Sequence, residues 1–119
     1  MQTETKATVD KSVGASGQPV TILRFIGDIS STSREAVLGT YESLPEVDRA
    51  RILLDFSKVE YINSSGIALV IQMLLEASKS GQIIRAFGLT PHFQKVFTMV
   101  GITRYTSLFA DEATAKASF

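Results

Sequence analysis

The chain has 119 residues and is 45% hydrophobic, which suffices for one domain whose core needs no staple. Twelve basic residues balance twelve acidic ones, so no strong field favours nucleic acid or an anionic membrane. The absence of cysteine excludes disulfides and cysteine metal sites, and the longest apolar run, Ile67 to Ile71, is far short of the about 20 residues that span a bilayer.

The polar start, Met1 to Lys11, carries no secretory h-region. The expectation is a single cytoplasmic domain over residues 1–119, with 1–4 as a flexible tail and no direct membrane insertion. Thr5 to Val13 alternates loosely and reads as an edge strand. Gly14 to Pro19 is a turn, and Val20 to Ile26 is a second strand rich in β-branched residues. Gly27 to Ser30 ends it. A helix then begins among Ser31, Thr32 and Ser33, with Glu35 in capping-box position after Thr32, and runs to about Leu44 before Pro45.

Arg51 to Phe56 is a short apolar strand, followed by a loop from Ser57 to Asn63. A second helix spans Ser64 to Ser80 and stops at Gly81. Gln82 to Phe87 is a strand. Thr90 caps a third helix with Pro91 in its first position, and Phe93, Val96, Phe97 and Val100 form its apolar stripe. Tyr105 to Phe109 is a last strand, and Asp111 caps an Ala-rich helix. The order ββαβαβαβα implies an α/β domain with a mixed, mainly parallel sheet and helices packed on it. Sites in such sheets form beyond the carboxyl ends of strands, where loops enter helices.

The loop after Phe56 is such a place. It sets Asn63, Ser64, Ser65 and Gly66 at a helix N-terminus. Helix capping explains Asn and Ser there, because their side-chain oxygens accept from orphan amides. The same amides and the macrodipole also tolerate a phosphate, so a serine there can be modified without loss of the fold. On the helical wheel, Ile67, Val70, Ile71, Leu74 and Ala77 form the expected core stripe. Ser65, Gln72, Glu76 and Lys79 point outward, with Leu69 among them and Met73 at their flank.

The segment Asp55-Phe56-Ser57-Lys58-Val59-Glu60-Tyr61-Ile62-Asn63-Ser64-Ser65-Gly66-Ile67 resembles the central loop of the STAS domain family, and more narrowly of bacterial anti-sigma-factor antagonists. Gly27-Asp28-Ile29 is similar to that family's turn before its first helix, and Phe93 to Gly101 to its third. The resemblance covers nearly the whole chain. It implies a non-catalytic partner-switching protein that binds an anti-sigma factor serine kinase. Ser64 is then the phosphoacceptor, a PP2C-type phosphatase reverses the modification, and no cofactor is needed. The implied docking face takes in Asp28 and Ser30 beside the loop, and Leu69 and Met73 on the helix. Asn63 and Ser30 stand where the family usually carries acidic residues. Two readings therefore stay open: a phosphorylated antagonist, or a STAS scaffold or accessory subunit of a transporter or stressosome-like complex in which Ser64 only caps.

An enzyme is disfavoured. His92 is the single histidine, which leaves no Ser-His-Asp set and no His-based metal site. Asp28, Asp55 and Glu60 read as strand-end charges in water. No phosphate-binding glycine motif occurs, and the aromatics form no stripe for nucleic acid. The oligomeric expectation is a monomer or weak dimer.

Overall fold

A short turn at Gly14 to Gln18 folds strand β1 (Lys6–Val13) back on β2 (Pro19–Ile26), with Gly14 N–H donating to Gln18 O at 2.9 Å. The computed structural model describes residues 4–119; of the expected tail, Met1 to Thr3 lie outside the described residues. β3 (Arg51–Lys58), β4 (Ile83–Phe87) and β5 (Leu108–Phe109) follow in spatial order β1-β2-β3-β4-β5. Only β1 and β2 are antiparallel; the other neighbours pair in parallel. The mixed, mainly parallel sheet is thus as expected.

Helices cover both faces, which is why Ile52 to Phe56 is a continuous buried run rather than an alternating one. On one face Leu23, Phe25, Ile52, Leu54, Phe56, Ile84 and Ala86 pack against α2 (Ser64–Lys79) and α3 (Pro91–Met99). The Phe56 ring lies 5.6 Å from Phe25 and meets Phe97 edge-on at 5.7 Å. On the other face Val20, Ile22, Leu53 and Phe87 form a smaller core with Ala115. That residue comes from helix α4 (Glu112–Ala117), capped as expected by Asp111.

The first helical region differs from the expected regular helix. It runs as a 3-10 turn over Ser31–Ser33, a π-helical stretch over Glu35–Gly39 and a short α-helix α1 (Thr40–Ser43). The capping box is Ser30 with Ser33, not Thr32 with Glu35. Ser33 Oγ accepts the Ser30 N–H at 2.8 Å, and both side chains are buried. The hydroxyl of Thr5 ties the start of β1 to the same place, bonding Ser33 Oγ and the carbonyl of Asp28.

Asp55 is also not the solvated charge expected. It is 6% exposed and faces the α4 side. Its Oδ1 accepts from the Ser57 amide at 2.8 Å and hydroxyl at 2.6 Å, and its Oδ2 from Arg24 at 2.9 Å. Arg24 further donates to Asp10 at 2.6 Å and Glu112 at 2.7 Å, joining β1, β2, β3 and α4.

Candidate functional site: the N-terminus of the second helix

Beyond the end of β3 the chain must turn across the sheet edge and enter α2. Val59 N–H bonds back to Phe56 O at 3.0 Å, and Val59 and Ile62 bury their side chains in the main core. Ile62 then pairs with Ile29 as an isolated parallel bridge. Ile29 N–H donates to Tyr61 O at 3.0 Å, and Asn63 N–H to Ile29 O at 3.1 Å. The Gly27 to Ser30 turn and the Tyr61 to Asn63 loop are therefore one hydrogen-bonded unit.

Asn63 caps α2. Its extended backbone (φ −85°, ψ 178°) lets Oδ1 accept from Gly66 N–H at 2.8 Å, while Asn63 O takes the first helical bond from Ile67 at 2.9 Å. Because Asn63 serves as cap, Ser64 and Ser65 are left exposed, and their hydroxyls make no hydrogen bond among the described residues. No acidic residue lies in the first turn. Gly66 is buried under the carbonyl of Ile29, where no side chain fits.

The buried stripe of α2 is Gly66, Val70, Met73, Leu74 and Ala77, spaced i, i+4, i+7, i+8 and i+11. Val70, Leu74 and Ala77 are buried as expected, Gly66 and Met73 join them, and Ile67 and Ile71 of the expected stripe move to its margin. Those two residues are half-buried there. The approach of Ile29 to Gly66 and the packing of α2 against the Ser31 to Gly39 segment turn the helix this way. Met73, expected at a docking face, is wholly buried. Leu69 is half-buried and packs against the core, and Ser30 is 5% exposed beneath the 3-10 turn, so neither offers a free contact surface. Asp28 is half-buried.

The expected outer residues Ser65, Gln72, Glu76 and Lys79 are exposed. Ser64, Ala68 and Leu75, at i, i+4 and i+11, share one line facing away from the core, and Ile71 at its margin packs against the core. Ala68 and Leu75 are exposed and Ile71 half-buried. Ala68 and Leu75 are not among the expected outer residues; the period from Ser64 points to them. Tyr61, three residues before Ser64 and 48% exposed, meets Phe93 edge-on at 6.3 Å, and His92 lies 4.8 Å from the same ring. Among the described residues no group of three or more His, Cys, Asp or Glu can hold a metal, and no helix is long and apolar enough to cross a membrane.

A family model described as "Mlab, STAS domain" matches residues 13–109. The chain belongs to the STAS domain family. Solved structures share the STAS fold at low identity. An anti-sigma factor antagonist from Mycobacterium paratuberculosis superposes with a TM-score of 0.72 at 16% identity, over 94% of this chain and 91% of that one. The Bacillus cell fate determinant SpoIIAA in its phosphorylated form gives 0.66 at 16%, over 91% and 95%. A sulfate transporter family protein from Wolinella succinogenes gives 0.68 at 15%, over 91% and 87%. No curated protein matches the sequence.

Proposed function

We propose that this STAS domain is an anti-sigma-factor antagonist that binds an anti-sigma serine kinase in the cytoplasm and is controlled by phosphorylation of Ser64. The observation that carries the reading is the division of labour at the start of α2. Asn63 does the capping, and Ser64 is exposed, without a side-chain hydrogen bond among the described residues, and at the head of an outward line with Ala68 and Leu75. A phosphate on Ser64 adds a charge of about −2 at an N-terminus whose amides and dipole favour it, so the domain survives. A partner closed over Ala68 and Leu75 would have to desolvate that charge, so the contact does not survive. Removal of the phosphate by a PP2C-type phosphatase restores binding. Similarity to an antagonist and to a phosphorylated SpoIIAA supports the same reading. The domain has no catalytic task of its own in this scheme.

A second reading is an accessory subunit or scaffold, in a transporter or a stressosome-like complex, that uses the same helix without a switch. The family model's description, the sulfate transporter neighbour, and Asn63 and Ser30 in place of acidic residues favour it. Affinity capture from native extract, with mass analysis of the Ser64 peptide, identifies the partner and the modification. Calorimetry with that partner then separates the readings. The antagonist reading expects Ser64→Ala to bind like wild type, and Ser64→Asp and the phosphorylated protein to bind at least about tenfold more weakly, a loss of about 1.4 kcal/mol or more. Equal affinities would remove the switch and leave the accessory subunit.

A further inference from the structure

Among the described residues strand β1 leaves one edge of the sheet open over eight residues, with no proline in the strand and no bulge in its pairing to β2. The orientation of its backbone follows from the turn. Gly14 N–H bonds Gln18 O, so Ser12, Asp10, Thr8 and Lys6 turn their amides and carbonyls toward β2. Val13, Lys11, Val9 and Ala7 turn theirs outward. Pro19, which has no N–H, lies opposite Val13 and fits this alternation. Val9 and Val13 are 40% and 58% exposed along the same edge. An open edge of this kind is a template for another strand.

We propose that the outward edge of β1 pairs antiparallel with β1 of a second copy, centred on Thr8, to form a continuous ten-stranded sheet. The charges select both the occupant and the register. Side chains directly opposite one another share a face, and like charges there repel. Centring on Asp10 or Lys11 sets each against its own copy. Centring on Ala7 sets Glu4 against Asp10, and centring on Val9 matches no charge. Centring on Thr8 sets Lys6 opposite Asp10 twice, once at each end. Ala7 and Val9 of one copy then exchange backbone bonds with Val9 and Ala7 of the other. Asp10 already belongs to the Arg24 cluster. There the carboxylates of Asp10, Asp55 and Glu112 outnumber the cations of Arg24 and Lys116 by three to two. Lys6 of the second copy supplies the missing positive charge, and Lys6 has no ion pair within its own chain among the described residues. Lys11 does not interfere, since it is on the opposite face and paired with Asp48 at 2.5 Å. The contact is one strand wide, so the dimer is a weak, concentration-dependent one. It does not involve α2 and stands whether or not Ser64 is a switch.

Sedimentation equilibrium of the full chain over a wide concentration range tests this. A monomer–dimer equilibrium is expected. Val9→Pro removes an outward N–H while the bonds to β2 remain, and should weaken the dimer at least tenfold. Lys6→Glu should do the same, and adding Asp10→Lys should restore dimerisation. Far-ultraviolet circular dichroism checks that each variant is folded; if Val9→Pro is not, the Lys6 and Asp10 pair still decides. A chain that stays monomeric at every concentration overturns the proposal. So does a dimer that ignores Lys6→Glu, or one that the reversed pair fails to restore.

Discussion

The carbonyl oxygen of Ile29 stands where a side chain would begin at Gly66: a Cβ there would lie 2.4 Å from it. Two loops more than thirty residues apart in sequence are held together at this point, and α2 takes its rotation from it. Gly66→Ala is expected to push the Gly27 to Ser30 turn off the helix, at a cost of about 1–3 kcal/mol. Denaturant unfolding measures the loss. Partner binding should fall with it, since the same movement displaces Ser64.

The neighbouring cap separates structure from signal. Asn63→Ala removes the acceptor for Gly66 N–H and should cost about 1 kcal/mol. Ser64→Ala removes an exposed hydroxyl with no hydrogen-bond partner among the described residues and should change stability by less than about 0.5 kcal/mol. The two unfolding midpoints, measured side by side, check the assignment. A larger loss for Ser64→Ala would make Ser64 the structural residue.

The outward line of α2 can be tested apart from phosphorylation. Leu75→Glu changes a residue 38% exposed, so folding should be unaffected, while affinity for the captured partner should drop at least about tenfold. Met73→Ala should behave in the opposite way. It empties part of a core position that is 0% exposed and should cost about 2–5 kcal/mol in unfolding experiments, with its effect on binding secondary to that loss.

The Arg24 cluster predicts acid sensitivity. The hydrogen bond from Arg24 holds the Glu112 carboxyl below the usual glutamate range. A carboxyl depressed in the folded state contributes stability above its unfolded value, about 4.3, and loses it as pH falls through the folded value. Unfolding free energy should therefore decline below about pH 4.3, and Glu112→Gln should flatten part of that decline while lowering stability at pH 7. Arg24→Ala is more severe. It leaves Asp55, 6% exposed, with only its Ser57 bonds, and should cost about 1–3 kcal/mol at neutral pH.

By itself the sequence determined the order of elements, the mixed sheet, the caps Asn63, Thr90 and Asp111, and the loop where a site would form. These signals are local. A cap satisfies amides within one turn, a proline acts on its own neighbours, and a period is read along one segment. The resemblance to the STAS family was legible for the same reason, since its motifs are short runs. The tertiary structure decided how those segments face one another. The backbone of Ile29 against Gly66 rotated α2, which buried Met73 and turned Ser64, Ala68 and Leu75 outward. Arg24 reached a carboxylate 31 residues away and made Asp55 a buried partner rather than a solvated charge. An apolar residue at a helix margin is compatible with either side of the stripe, and an acidic residue near a strand end with either water or an arginine. Only contacts between segments distant in sequence choose between them.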